Sequence, residues 1–140
     1  MEAVCLSSHP HILLAEDDDD FRELLNFSLV RAGFSVTCCG NGLDLLERLL
    51  RPQDYDLVIS DLRMPALTGL EVLEYLHDID RRPPFICMTA FGDLRTHELA
   101  RQLGATASID KPFDLDEMLG LVNTVCSQNG IPSPSLRGRI

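Results

Sequence analysis

Four groups of polar residues stand directly after short apolar runs, and their types suit ion and phosphoryl chemistry. Glu16-Asp17-Asp18-Asp19-Asp20 follows His11-Ile12-Leu13-Leu14-Ala15, and Asp61 follows Leu57-Val58-Ile59-Ser60. Thr89 follows Phe85-Ile86-Cys87-Met88, and Lys111, the only lysine in the chain, stands two residues after Ile109. Taken singly, each has an ordinary reading. A charge run ahead of a helix is usually a solvated first turn that complements the helix dipole, and Asp18, Asp19 and Asp20 take that reading. A loop aspartate, a strand-end threonine and a loop lysine are commonplace. Glu16 and Asp17 differ because they leave a buried strand directly and so sit at the mouth of a sheet.

As a set they define a chemistry. Glu16, Asp17 and Asp61 carry a formal charge of −3 and Lys111 returns +1, so the remaining −2 is what one divalent cation neutralises. Carboxylates, backbone carbonyls and water suit Mg²⁺, which keeps several waters and takes few protein ligands. A carboxylate beside a metal and an ammonium is poised as a nucleophile toward phosphorus, giving an aspartyl phosphate. Phosphoryl transfer needs mainly positioning and charge stabilisation, which the metal, Lys111 and the Thr89 hydroxyl would supply.

Five apolar runs must carry these residues to one place. The patterning predicts strands over His11–Ala15, Phe34–Cys39, Tyr55–Ser60, Pro84–Met88 and Thr106–Ile109. Between and after them, apolar residues recur at helical spacing: Phe21, Leu24, Leu25, Leu29; Leu43, Leu45, Leu46, Leu49; Leu70, Val72, Leu73, Leu76; a weaker stretch from Asp93 to Leu103; and Leu115, Met118, Leu119, Val122, Val125. Gly33 and Gly104 stop two helices, and Pro52 ends another. Gly40-Asn41-Gly42 would also suit a hairpin, but the leucines after it favour a helix. Strands alternating with helices predict an α/β fold with a parallel five-stranded sheet covered on both faces, a (βα)5 three-layer sandwich. Right-handed crossovers favour the flavodoxin-like order 2-1-3-4-5, whose ligand site lies beyond the carboxyl ends of the strands.

Composition narrows the class. The chain has 140 residues, suited to one domain, with 45% hydrophobic and 24% charged residues and a formal charge of −10. So acidic a surface is repelled by phosphate backbones, which argues against nucleic-acid binding by this chain alone. The five cysteines (Cys5, Cys38, Cys39, Cys87, Cys126) form no CxxC and are odd in number, as expected of reduced thiols in a cytoplasmic protein. No apolar run is long enough to span a membrane. His9, His11, His77 and His97 lack metal-ligand spacing and take surface or packing readings. No Gly-rich phosphate loop is present, so no nucleotide cofactor is expected.

The ordered combination Leu13-Leu14-Ala15-Glu16-Asp17-Asp18, Ile59-Ser60-Asp61-Leu62-Arg63-Met64-Pro65 with Thr68-Gly69, Met88-Thr89-Ala90 and Lys111-Pro112-Phe113 resembles the receiver domain of the response regulators of two-component phosphorelay signalling. The resemblance covers about residues 11–126, and Ser127–Ile140, rich in Ser, Pro and Gly with Arg137 and Arg139, reads as a flexible tail or linker. It implies that Asp61 accepts a phosphoryl group from a sensor histidine kinase or histidine phosphotransfer protein. It implies Mg²⁺ held by Asp17, Asp61 and the backbone carbonyl of Arg63, with Glu16 acting mainly through metal-bound water. Lys111 would pair with Asp61 and then with a phosphoryl oxygen, Thr89 would swing toward that group, and Lys111–Pro112 is a candidate cis peptide. Two departures stand out. Ser108 occupies the place where such receivers carry a switching Tyr or Phe, and Asp110 replaces an apolar residue. Arg63 and Phe91 flank the route of an attacking water, where their bulk is expected to slow hydrolysis.

The leading function is therefore a phosphorylation-controlled switch that changes its partner-binding surface. It is not an enzyme in the ordinary sense, since it catalyses only its own phosphorylation and dephosphorylation. A docking scaffold with degenerate chemistry and a Mg²⁺-dependent aspartyl-phosphate phosphohydrolase are the alternatives. The second acid that such hydrolases often carry two residues after the nucleophile is here Arg63.

Overall fold

The computed structural model describes residues 9–51, 55–79, 82–90, 93–132 and 134. The predicted features at Cys5, Pro52, Phe91, Arg137 and Arg139 lie outside them. The strands are β1 (His11–Ala15), β2 (Ser35–Cys39), β3 (Leu57–Asp61), β4 (Phe85–Ala90) and β5 (Ala107–Lys111). The helices are α1 (Asp19–Arg31), α2 (Gly42–Leu50), α3 (Gly69–Leu76), α4 (Leu94–Gln102) and α5 (Leu115–Gln128). All strand pairs are parallel, in the order β2-β1-β3-β4-β5, which is the predicted flavodoxin-like arrangement.

Side-chain alternation along the strands builds two cores, one on each face of the sheet. In β1, Leu13 and Ala15 join Leu45 and Leu46 of α2, Val72, Leu73 and Leu76 of α3 and Ala100 of α4. Ile12 and Leu14 point the other way, to Leu25 and Leu29 of α1 and Met118, Val122 and Val125 of α5. β3 is buried along its whole length, as its unbroken apolar run requires, while edge strand β5 is half-buried.

β5 extends two residues past the predicted end at Ile109. Asp110 and Lys111 lie opposite Thr89 and Ala90 of β4, so ladder pairing continues after the apolar run stops. The expected flexible tail is corrected over its first residues. Ser127 and Gln128 complete α5, Gly130 turns the chain at φ +72°, and the Ile131 amide donates to the Cys126 carbonyl at 2.8 Å while its side chain packs on the α1/α5 core. Pro134 is buried beside Gly33. Among the described residues no helix is long and apolar enough to cross a membrane.

Candidate functional site

The chain leaves the carboxyl ends of β1 and β3 side by side, so two acidic residues meet at the sheet's mouth. Glu16 follows Ala15 and is held there by its amide, which donates to the Cys39 carbonyl at 3.1 Å. Its carboxylate is 1% exposed. One oxygen accepts from the Asp18 amide at 3.0 Å and the other from Lys111 Nζ at 2.9 Å. Asp18 caps α1 by accepting from the Phe21 amide at 3.1 Å, the helix-start role expected of it. Arg22, one turn into α1, donates to the Glu16 carbonyl at 2.7 Å and pairs with Asp19.

Asp61 ends β3 and is 7% exposed. Its Oδ1 accepts from the Arg63 amide at 3.0 Å and its Oδ2 from Lys111 Nζ at 2.6 Å. Lys111 comes from the far edge of the sheet, where its register opposite Ala90 lets its stem pass the end of β4. Its ammonium also lies 5.0 Å from the centre of the Phe21 ring, which packs against Phe113. The Lys111–Pro112 peptide is cis, as the motif led us to expect.

The electrostatics follow from this burial. Desolvation raises the pKa of Glu16, with Asp61 adding to the rise and the bonds from Lys111 and the Asp18 amide opposing it. Burial works against the charge of Lys111, but its bonds to Asp61 and Glu16 outweigh it and hold the ammonium above its ordinary pKa. One cation thus serves two buried carboxylates. Asp17 is exposed, so the cluster opens to solvent on its side.

Carboxylate oxygens of Glu16, Asp17 and Asp61 lie within 4.8 Å of one another. An all-oxygen set with one solvent-facing member suits a hard divalent cation that keeps part of its water shell. Both oxygens of Glu16 and both of Asp61 already accept from protein donors, and of the three acids Asp17 alone faces solvent. The loop after Asp61 is braced from several sides. Gly69 N donates to the Leu62 carbonyl at 3.1 Å, Thr68 and Glu71 form a capping box at the start of α3, and the Gly42 amide of α2 reaches the Pro65 carbonyl at 3.4 Å. The Arg63 side chain is exposed at the rim.

Thr89 is brought to the same sheet edge but faces elsewhere. Its hydroxyl donates to Asp110 Oδ1 at 3.0 Å and lies 3.0 Å from His97 Nε2; no hydrogen bond joins it to Asp61 or Lys111. His97 was read from sequence as a surface or packing residue, yet it bonds to Thr89, Asp110 and Ser108. The available signal was its place one turn before Ala100, the buried residue of α4, which puts an imidazole on the sheet-facing stripe. Phe21 was read only as a helix residue and Arg22 drew no reading, and nothing in their spacing points to the site.

Residues 12–123 match the family described as response regulator receiver domain. The uncharacterized transcriptional regulatory protein YkoG of Bacillus subtilis is 34% identical over 86% of this chain and 52% of its own length. Sporulation initiation phosphotransferase F of the same organism is 35% identical over 76% of this chain and 86% of its own. The non-phosphorylated HemR receiver domain from Leptospira biflexa superposes with a TM-score of 0.76 at 34% identity, covering 84% of this chain and 94% of that one. The chain spans about half the length of the first of these relatives, and about a quarter of the DNA-binding transcriptional regulator NtrC of Escherichia coli. Motifs, sheet order and these likenesses agree, and the chain belongs to the receiver domains of two-component response regulators.

Proposed function

We propose that this domain is a phosphoacceptor switch in which Asp61 takes a phosphoryl group from a phosphohistidine on a sensor kinase or phosphotransfer protein. The observation that carries the reading is the shared ammonium: Lys111 Nζ stands 2.6 Å from Asp61 and 2.9 Å from buried Glu16. A strand-end carboxylate with no chemistry to perform has no need of a second buried acid and a lysine drawn from the opposite edge of the sheet.

In the reaction an Asp61 carboxylate oxygen attacks phosphorus, an O–P bond forms, and the donor's P–N bond breaks with its electron pair leaving on the imidazole nitrogen. Lys111 first holds the carboxylate in place and then stays with the charge as it spreads onto the phosphoryl oxygens. The Arg63 amide keeps one Asp61 oxygen fixed so that attack comes from a defined direction. Mg²⁺, held by Asp17, Asp61 and the Arg63 carbonyl, would supply charge neutralisation of the transferring group. Thr89 offers a hydroxyl proton to a phosphoryl oxygen once it leaves its present partners. The output partner is then whatever recognises the altered α4–β5–α5 surface.

The test is intact-mass measurement after incubation with a small phosphoramidate donor, with Mg²⁺ or with EDTA. The reading expects one added phosphoryl group in wild type with Mg²⁺ and none in Asp61→Asn. Donor turnover without an adduct would favour the phosphohydrolase, and no uptake from small donors or a phosphohistidine protein would favour the scaffold.

A further inference from the structure

Behind Thr89 lies a polar cluster that phosphoryl acceptance does not use. His97 lies on α4, while Ser108 and Asp110, two residues apart, share one face of β5. The His97 and Asp110 side chains are 21% and 41% exposed, so the cluster sits in a partly covered seam between helix and strand. His97 Nε2 meets Asp110 Oδ1 at 2.5 Å, and Nδ1 is bonded to the Ser108 hydroxyl. These partners are mutually consistent when Nε2 carries the proton: it donates to Asp110, and Nδ1 accepts from Ser108. Thr89 has one hydroxyl proton, and that proton goes to Asp110. The bonds from His97 and then from Thr89 hold the Asp110 carboxyl below its ordinary pKa, so it accepts both bonds as an anion.

Thr89 cannot donate to Asp110 and to a phosphoryl oxygen on Asp61 at once. From this competition we infer that His97 is a positioning residue: with Asp110 and Ser108 it latches the Thr89 hydroxyl away from Asp61 in the unphosphorylated domain. Phosphorylation draws Thr89 off the latch, and α4 loses one of its ties to the sheet. A groove of about 410 Å³ lined by Leu94, His97, Glu98, Arg101, Ala107 and Ser108 flanks the imidazole, so the seam around His97 has room to readjust once Thr89 leaves. Small side chains on β5 make that room. The device rests on the reading of Asp61 as phosphoacceptor and says how this chain couples the acceptor to α4 with a serine at position 108.

The experiment measures the rate of phosphoryl uptake from phosphoramidate with saturating Mg²⁺, by intact mass, in wild type, His97→Ala, Asp110→Asn, Thr89→Ala and His97→Ala/Thr89→Ala. Releasing the latch removes a competitor worth about one net hydrogen bond, so His97→Ala should react about three- to tenfold faster than wild type. Asp110→Asn, which keeps the size of a side chain that is 41% exposed, should also accelerate uptake and carries the test if His97→Ala does not fold. With Thr89 replaced by alanine, the His97 substitution should change nothing, which separates positioning from a general structural effect. A His97→Ala rate equal to or below wild type, or the same acceleration in both Thr89 backgrounds, overturns the latch while leaving Asp61 as acceptor. Absence of uptake in wild type overturns the acceptor reading and the latch with it.

Discussion

Replacing Lys111 with methionine removes one charge from between two buried carboxylates while keeping most of the stem's apolar bulk. The ammonium sits 2.6 Å from Asp61 and 2.9 Å from Glu16. At an effective dielectric constant of about 20, each contact is worth roughly 6 kcal/mol of gross Coulomb attraction. Most of that is offset by the desolvation of the ions, and breaking a fully buried pair typically costs about 3–5 kcal/mol net. Here Lys111 is 29% exposed and the cluster opens to water at Asp17, so the expected loss is smaller, about 2–3 kcal/mol. For a domain of this size that lowers Tm by roughly 6–12 °C. The pH dependence has a definite sign. The folded-state pKa of Lys111 lies above its ordinary 10.5, so its contribution is complete below that value and fades as pH climbs through the folded pKa. On the alkaline side wild type should therefore keep its advantage over Lys111→Met until strongly alkaline pH, and on the acid side it should lose it as Glu16, whose pKa is raised, becomes protonated. Thermal unfolding in EDTA and in Mg²⁺ is the assay. A divalent cation beside Asp17 and Asp61 takes over part of the missing charge, so Mg²⁺ should recover stability in Lys111→Met more than it adds to wild type. Equal Tm values in EDTA, or no greater recovery with Mg²⁺, would refute the reasoning.

Three further outcomes follow from the structure. In Gly42→Ala the new Cβ would stand 1.7 Å from the Leu67 carbonyl oxygen, forcing α2 or the loop after β3 to move, so urea unfolding should show a loss of about 1–3 kcal/mol. Gly120→Ala, on α5 with nothing within 4 Å, should instead gain about 0.5–1 kcal/mol. Burial pushes the Cys39 and Cys87 thiols up to about 12, so both should resist a neutral-pH thiol reagent in the native state and react fully in denaturant. Arg63 is exposed at the rim of the site, and its truncation to alanine should speed loss of the phosphoryl group roughly two- to fivefold, a barrier change of about 0.5–1 kcal/mol, followed as decay of the phosphorylated mass.

The sheet and its order were legible because each strand is built on its apolar run, although β3, β4 and β5 continue one or two residues beyond it to Asp61, Ala90 and Lys111. In β5, Asp110 and Lys111 look like loop residues in isolation, and their pairing with Thr89 and Ala90 keeps them in the strand. The acidic pocket was legible for a related reason. A residue that leaves a buried parallel strand must emerge at the carboxyl edge, so Glu16, Asp17 and Asp61 were bound to meet there. The His97 cluster was not legible, because it depends on how α4 is rotated against β5. Helix α4 buries only Ala100, and so short an apolar stripe leaves its facing undetermined until the packing is known. The first residues of the tail were misread because Ile131 and Pro134 contact the body as single residues, and no periodicity announces a single contact.

The site is economical in its charges. One lysine restrains two carboxylates, a third stays open to water, and the Thr89 hydroxyl is tied to a neighbouring acid. That arrangement fixes the Asp61 carboxylate between the Arg63 amide and the Lys111 ammonium while leaving Asp17 open to solvent.

The most direct test of the central claim locates the phosphoryl group. Borohydride reduces an acyl phosphate to an alcohol but leaves free carboxylates untouched, so treatment after phosphoryl transfer from a phosphohistidine donor with Mg²⁺, followed by peptide mass mapping, marks the acceptor. The account predicts a reduced side chain at position 61 alone, absent when Mg²⁺ is withheld. Reduction at Asp17 or Glu16 instead, or no reduction anywhere in a protein that has gained phosphate, would contradict it.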